Sequence, residues 1–451
     1  MTAKPPTLGR MVNGFDPAAP SDMDERTRED IARRQKLLGP AYRLFYRTPV
    51  QVDHGRGVHL YDRDNNEYLD AYNNVASVGH ANAHVTDAIM AQARRLCTHT
   101  RYLQDGIVEY AASLLPSFGG RIASDGHMMF TCTGSEANDL AMQIAMHRTG
   151  NRGIIITSEA YHGNSYLTSR FSPSLGEGAP LGTWVRRVST PDSYRIPPAE
   201  IAARMVREVT AQIEDLQRRG EGIAAFIADS VFSSDGIYTT PVDILPQVAR
   251  VVHAAGGLMI ADEVQSGFAR TGERFWGYQR HGLDPDIVTL GKPMGNGYPV
   301  AGLAVTHDAV AAFGRDRRYF NTFGGNSVAI AAAGATLEVI RSEGLQENAR
   351  DVGAFMRQEL RNIMADAPCI GDVRGAGLYI GVEVVHPGTM LADPATAARI
   401  VNALRERRIL ISATGHDANI LKIRPPLIFS RADARQLCDA LHAIIRDGGQ
   451  T

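Results

Sequence analysis

Short apolar runs alternate with helix-like segments through the middle of the chain. Between residues 82 and 336 the runs are HMMFTC, GIIIT, IAAFIAD, GGLMIAD and DIVTLG. Continuous apolar runs of this length are typical of strands buried on both faces, and their alternation with helices predicts a mainly parallel sheet. Ligands of such sheets bind at the carboxyl ends of the strands, so the residues after each run are candidates for a site.

The sequence before residue 82 and after residue 336 has a different pattern of predicted helices and strands. Residues 24–38 have the pattern of a charged surface helix, and residues 58–72 read as a β-hairpin around a turn at residues 62–66. Helix-like and strand-like segments alternate again after residue 337. We predict an N-terminal segment that forms part of a small domain (1–81), a large domain (82–336) and a C-terminal small domain (337–451).

Composition narrows the class of protein. The 451 residues are 44% hydrophobic and 21% charged, and 47 Lys and Arg face 49 Asp and Glu, so nothing indicates nucleic acid or an anionic membrane as a partner. The four cysteines are far apart without a C-x-x-C pair, which argues against a metal site or a disulfide framework. We find neither an apolar signal core nor a membrane-spanning run, and therefore expect a cytoplasmic protein.

A carboxylate stands where one apolar run ends. Asp262 follows Leu-Met-Ile-Ala, and a charge at the end of a buried strand needs a partner. The protonated ring nitrogen of pyridoxal phosphate is one such partner, because a carboxylate beside it holds the proton that makes the ring an electron sink. A cap of the following helix and a metal ligand are the alternatives that this position leaves open.

Lys292 follows the next apolar run and precedes the glycine-containing loop PMGNG. Lysines at such positions are usually solvated or bind phosphate, but the P-loop spacing G-x-x-x-x-G-K-[ST] is absent. A nucleophilic amine is the better interpretation, because burial and nearby positive charge lower the pKa of a lysine.

Two further segments have the chemistry to hold a flat, phosphorylated ligand. In TCTGSEAN, residues 131–138, backbone amides at a helix start and the hydroxyl of Ser135 would face an anion, although an ordinary helix cap explains the segment equally well. Tyr161 follows the run GIIIT and is either a ring that stacks on a ligand or a core aromatic.

The segments TGSEAN, YHG, ADEVQSGFARTG, TLGKPMGNG and NTFGGN, in this order, resemble the class III family of pyridoxal-phosphate aminotransferases over nearly the whole chain. The resemblance implies the α/β fold type I, with a seven-stranded, mainly parallel large domain, a smaller α+β domain built from both termini, and a homodimer with shared active sites. It implies that Lys292 forms a Schiff base with the cofactor and transfers protons, and that Asp262 pairs with the ring nitrogen. The remaining cofactor contacts would come from Gly134 and Ser135 (phosphate), Tyr161 (ring face), Gln265 (ring hydroxyl) and Thr322 (phosphate of the neighbouring subunit's cofactor).

Arg424, in LKIRPPL, matches the arginine that commonly binds a substrate carboxylate in this family; a surface arginine beside a Pro-Pro turn is the alternative. Many members carry an E-P-x-x-G-E run whose second glutamate pairs with this arginine when an uncharged amine is bound. Here the run reads DSVFSSD, with Ser234 at the glutamate position and Asp235 as a possible substitute. An unpaired Arg424 beside Lys422 would leave a cationic pocket that prefers anionic substrates.

The segments NNVASVGH, RYLQDGIVEYA, GDVRGAGLYIGVE and ILKIRPPL resemble the ethanolamine-phosphate phospho-lyase branch of the family. This resemblance implies elimination of phosphate from O-phosphoethanolamine or a similar phosphorylated amine. The candidates for binding the substrate are Lys422, Arg424, Asn74 and Arg101. The alternative is an aminotransferase with pyruvate or glyoxylate as acceptor. A non-catalytic nucleotide-binding protein is disfavoured, since no G-x-G-x-x-G follows an early strand.

Overall fold

A computed structural model describes residues 11–18 and 23–448, so parts of the predicted N-terminal segment and the last three residues lie outside the described part. The helices are α1 (Glu25–Leu38), α2 (Ala83–Arg95), α3 (Asp105–Leu114), α4 (Gly120–Asp125), α5 (Gly134–Thr149), α6 (Tyr166–Ser169), α7 (Pro198–Arg218), α8 (Ile244–Ala254), α9 (His307–Asp316), α10 (Ser327–Ser342), α11 (Leu345–Ala365), α12 (Pro394–Glu406) and α13 (Arg431–Gly448). The strands are β1 (Val52–Arg56), β2 (His59–Asp62), β3 (Glu67–Asp70), β4 (Gly126–Thr131), β5 (Gly153–Thr157), β6 (Val185–Val188), β7 (Ile223–Asp229), β8 (Leu258–Asp262), β9 (Ile287–Leu290), β10 (Ala301–Thr306), β11 (Ile370–Ala376), β12 (Tyr379–Val384), β13 (Ile409–Leu410), β14 (Ser412–Thr414) and β15 (Ile420–Ile423). Short 3₁₀ helices span Leu115–Phe118, Pro173–Leu175 and Gly277–His281.

The large sheet has seven strands in the order β4-β10-β9-β8-β7-β5-β6. Neighbours from β9 through β6 pair in parallel, whereas β10 runs antiparallel to both β4 and β9. Its central strands are buried on both faces: Ile155 and Met259 pack into one apolar cluster, and Ile156 and Ile260 into another on the opposite side. The predicted mainly parallel α/β sheet is confirmed.

Five of the seven strands coincide with the apolar runs of the sequence, and two do not. The run VRRV of β6 places two arginines at the sheet edge, and β10 follows a glycine-rich loop directly without an intervening helix. β6 lacks the signal of a central strand because an edge strand needs no apolar residue on its open side. β10 lies between β4 and β9, and its apolar run AGLAVT is buried throughout.

Two four-stranded sheets, β1-β2-β3-β13 and β11-β12-β15-β14, lie outside the large sheet. The predicted hairpin is present as β2 and β3, and the predicted surface helix as α1, which is capped by Asp24. β13 joins the N-terminal sheet by pairing in parallel with β3. The domain boundaries stay a prediction, and α10 covers residues on both sides of the one at 336. No helix of the described residues is long and apolar enough to cross a bilayer.

Candidate active site

A cavity lies where β4, β5, β7, β8 and β9 end. Its lining includes all of the cofactor residues predicted from the sequence except Thr322. The lining residues are Gly134, Ser135, Asn138, Tyr161, His162, Gly163, Asp229, Asp262, Val264, Gln265 and Lys292. Strands that run in parallel bring these residues together, since their carboxyl ends share one edge of the sheet.

Asp262 ends β8 and is held by three partners. Its Oδ2 accepts a hydrogen bond from the Asn138 amide at 2.8 Å and lies 2.7 Å from Nδ1 of His162, and its Oδ1 accepts from the Val264 backbone N–H at 3.0 Å. The Thr289 hydroxyl donates to Asn138 Oδ1 at 2.6 Å, which fixes the amide group towards Asp262. The residues after Asp262 form turns, so the helix-cap alternative is wrong.

Lys292 follows β9 with its amine free of hydrogen bonds to any described residue, and it lines the cavity beside Asp262. Desolvation and the positive charge of Arg424 lower the pKa of Lys292 to about 8, against the opposing charges of Asp262 and Asp229. The neutral, nucleophilic amine is therefore more populated near neutral pH than in an ordinary lysine.

The start of α5 forms one wall of the cavity. The helix begins at Gly134 and is capped by the Thr133 side chain, so the first N–H groups point out of the helix end. A Cβ at Gly134 would lie 2.8 Å from Val264, and Gly163 adopts a φ of +140° against Ser135. Close backbone approach and exposed amides together suit an anionic group such as phosphate.

Lys422 and Arg424 bring positive charge to this site from β15 and the residue after it. Both are buried, at 8% and 6% exposure, so the surface-arginine alternative for Arg424 is wrong. The Arg424 guanidinium donates to Gln265 Oε1 and lies 4.6 Å from the ring centre of Tyr72, and its Nε is buried without a hydrogen-bond partner among the described residues. The Lys422 amine lies 3.5 Å from the Ser233 carbonyl oxygen.

Within residues 11–18 and 23–448, neither of these cations forms an ion pair with a carboxylate. Asp235 does not replace the missing glutamate, because its oxygens accept from the Thr157 hydroxyl at 2.7 Å, the Thr190 hydroxyl at 3.0 Å and the Glu159 N–H at 3.0 Å. Burial raises the pKa of Asp235 to about 6. The site therefore keeps two basic side chains that no carboxylate of the described residues pairs with, as the Ser234 position predicts.

The remaining predicted residues divide into two groups. Asn74 is 1% exposed, and neither its side-chain oxygen nor its nitrogen has a hydrogen-bond partner among the described residues. Arg101 and Thr322 are exposed and do not line the cavity; the Arg101 guanidinium lies 3.8 Å from the ring centre of Phe320. Within one chain the site thus lacks both of these residues.

Sequence reasoning assigned no role to Asn138, His162, Asp229 or Tyr379. The first two lie inside the quoted motifs, and Asp229 ends β7 in register with Asp262, so the strand-end rule was a signal for it. Its carboxylate accepts from the Val231 and Ser233 N–H groups and shapes that turn. Tyr379, whose hydroxyl lies 3.1 Å from Gln265 Oε1, had no signal, because it is one aromatic residue in an apolar strand.

A family model of class III aminotransferases matches residues 45–445. The chain belongs to the class III aminotransferases. Members of this family are pyridoxal-phosphate-dependent enzymes, so the chain is an enzyme of this type, and its fold is the type I fold expected from the sequence.

Two relatives and one solved structure show how this class III aminotransferase is placed within the family. It is 34% identical to ethanolamine-phosphate phospho-lyase homolog 1 of Caenorhabditis elegans (95% of this chain, 96% of the relative) and 36% identical to an alanine–glyoxylate aminotransferase 2-like protein of Drosophila melanogaster (90% and 84%). A phospholyase from Arthrobacter, solved in complex with phosphoethanolamine, matches with a TM-score of 0.89 and 41% identity (92% of this chain, 99% of that one). The resemblance to the phospho-lyase branch is confirmed.

The residues of the cavity fit pyridoxal phosphate. The start of α5 suits a phosphate, a buried and fully oriented Asp262 suits a protonated ring nitrogen, and the Lys292 amine has the lowered pKa of a nucleophile. His162 also lines the cavity, and its buried Nε2 has no hydrogen-bond partner among the described residues.

Proposed function

We propose that this class III aminotransferase eliminates phosphate from O-phosphoethanolamine or a similar phosphorylated amine, giving aldehyde, ammonia and phosphate. The observation that carries the proposal is the pair of buried basic side chains, Lys422 and Arg424, without a carboxylate partner in the described part of the chain. A buried charge without a counter-ion is unfavourable until an anionic ligand supplies one, so the pocket favours an anionic substrate.

The cofactor would be held by the residues of the cavity. We assign the phosphate to Gly134 and Ser135, the ring face to Tyr161, the ring nitrogen to Asp262 and the ring hydroxyl to Gln265. When bound, pyridoxal phosphate supplies an electron sink that acidifies the carbon bearing the substrate nitrogen. The hydrogen bonds from Asn138 and His162 keep Asp262 oriented for its role.

Lys292 would both attach the cofactor and move the proton of the reaction. Its neutral amine would hold the cofactor covalently, and the same amine would accept the proton of the carbon that bears the substrate nitrogen. The substrate's anionic group would be held by Lys422, Arg424 and Asn74. The phosphoethanolamine in the Arthrobacter phospholyase supports such a substrate.

The test is incubation of the purified holoenzyme with O-phosphoethanolamine in the absence of any keto acid. We expect free phosphate and acetaldehyde to appear in equal amounts. Turnover of an amine with pyruvate, without phosphate release from O-phosphoethanolamine, would show the proposal to be wrong.

The second candidate is an aminotransferase that uses pyruvate or glyoxylate, and the alanine–glyoxylate aminotransferase 2-like relative favours it. Proton removal by Lys292 is common to both reactions, so its pKa does not separate them. Stoichiometry does, because a transaminase consumes one keto acid for each amine and a lyase consumes none.

We also propose a homodimer with shared active sites. Large apolar side chains are exposed in two segments that meet where His99 contacts the rings of Tyr102 and Phe320. They include Tyr102 (67%), Leu103 (104%), Val108 (66%) and Phe323 (70%), and such side chains favour burial against a second subunit. Thr322 and Arg101, which do not line the cavity of their own chain, belong to this surface. A monomer in sedimentation equilibrium at micromolar concentration would contradict the proposal.

For the cell compartment we propose the cytoplasm. The four cysteines, Cys97, Cys132, Cys369 and Cys438, are all free, which suits reducing surroundings. Fractionation of the native host with compartment markers tests this placement, and recovery with an oxidising compartment would contradict it.

A further inference from the structure

Lysine is rare in this chain. Lys and Arg together number 47, and only four of them are lysines: Lys4, Lys36, Lys292 and Lys422. The ion pairs of the described residues are made by arginine and histidine. A guanidinium keeps its charge at any accessible pH, whereas an amine can lose its proton. Lys292 lines the cavity and already has a role that requires an amine. Lys422 contacts Ser233, whose hydroxyl accepts a hydrogen bond from Gln265 in the cavity lining, so it is the second lysine at the site.

The surroundings of Lys422 favour loss of its proton. Its amine is buried on β15, with one long contact to the Ser233 carbonyl oxygen and the Tyr379 ring centre at 5.7 Å. The charged groups that face it are Arg424 on the same strand, Lys292 after β9 and Asp229 at the end of β7. Burial and the positive charge of Arg424 lower the pKa of Lys422 well below its ordinary value.

We propose that Lys422 is an acid–base group, which takes up a proton when the phosphate of the substrate binds and donates it to the oxygen that leaves. The inference rests on the proposed phospho-lyase function. Arg424 would bind the same phosphate with a permanent charge and exchange no proton.

In the elimination, Lys292 and Lys422 account for both proton transfers. Lys292 accepts the proton of the carbon that bears nitrogen, and the electron pair left there forms the second bond of a double bond to the neighbouring carbon. The bond between the neighbouring carbon and the ester oxygen breaks, and its electrons go to that oxygen. With a proton from Lys422 the group departs as hydrogen phosphate rather than as the strongly basic trianion, and Lys422 returns to its uncharged state.

The first test compares two leaving groups in the Lys422→Arg holoenzyme. For O-phosphoethanolamine we expect kcat to fall by about 100-fold or more, within the range of general acid catalysis. For O-sulfoethanolamine we expect a fall of less than about 5-fold, because sulfate departs as a weak base that needs no proton. Equal falls for both esters would overturn the proposal. Lys36→Arg, on the exposed side of α1, is the matched control and should leave both rates unchanged.

The second test uses the wild-type enzyme, so it does not depend on whether a variant folds. Binding of inorganic phosphate to the wild-type holoenzyme at pH 8, measured calorimetrically in two buffers of different ionisation enthalpy, should show net proton uptake. Binding without uptake would overturn the role of Lys422 even if elimination occurs. If the wild type releases no phosphate from O-phosphoethanolamine, the proposed function itself fails, and the donation step fails with it.

Discussion

The side-chain oxygen of Gln265 accepts a hydrogen bond from the guanidinium of Arg424. The same oxygen lies 3.1 Å from the Tyr379 hydroxyl, and the Gln265 amide group donates to the Ser233 hydroxyl at 2.8 Å. An uncharged side chain therefore positions Arg424 without neutralising it. This arrangement keeps the positive charge available to a substrate anion.

Gln265→Glu should weaken binding of an anionic substrate. The new carboxylate would pair with Arg424 and compete with the substrate, and we expect the KM for O-phosphoethanolamine to rise by about 10- to 100-fold, as for loss of one charge-assisted contact. Steady-state kinetics at saturating cofactor measure this, together with the cofactor Kd of the same variant. Gln35→Glu on α1 adds the same charge at an exposed position and should leave KM unaltered.

Lys292→Ala should abolish attachment of the cofactor. We expect the visible absorbance of the lysine-bound cofactor to disappear and kcat to fall by about 1000-fold or more, since both the nucleophile and the proton-transfer group are lost. Absorbance spectra and phosphate release measure the two effects. Lys36→Ala is the control, and a spectrum unchanged in Lys292→Ala would rule out this residue as the attachment point.

The rate at which pyridoxal phosphate adds to the apoenzyme should depend on pH through Lys292. Only the neutral amine reacts, and its pKa is lowered to about 8, so the rate should rise tenfold per pH unit below 8 and level off above it. Stopped-flow absorbance measures the profile. A rate that still climbs steeply above pH 9 would contradict the lowered pKa.

Glu383→Ala should destabilise the fold. Glu383 is buried and accepts from Arg374 at 2.7 Å and from Arg195 at 2.8 Å. Its removal leaves the buried Arg374 with Asp372 as its remaining carboxylate and breaks both charge-assisted contacts, at a cost of about 3 kcal/mol. Urea denaturation followed by circular dichroism tests this. Asp308→Ala removes the exposed partner of Arg148 and should cost less than about 1 kcal/mol; equal losses would argue against the burial effect.

The sequence predicts those parts of the fold that depend on local pattern. The apolar runs of β5, β7, β8 and β9 are buried on both faces and therefore carry a clear signal. β6 lacks such a run because it is an edge strand, whereas β10 has one, AGLAVT, that the prediction did not include.

Some residues of the candidate site can likewise be predicted from the sequence, and others cannot. Asp262 and Lys292 end or follow strands, so the chain itself indicates where they meet. Asp229 also ends a strand and could have been found by the same rule. Tyr379 reaches the site through tertiary packing alone, and no spacing along the chain indicates its role. The sequence could not show that Asp235 leaves Arg424 unpaired, because this depends on the hydroxyls of Thr157 and Thr190, which donate hydrogen bonds to Asp235.

The parallel pairing of β3 with β13 sets an order for synthesis on the ribosome. Leu69 pairs with Ile409, so this sheet stays incomplete until nearly the whole chain has emerged, whereas every strand of the large sheet is available much earlier. Lys422 and Arg424 emerge later still. A ribosome-bound nascent chain would therefore present the Lys292 side of the site before the part that selects the substrate exists.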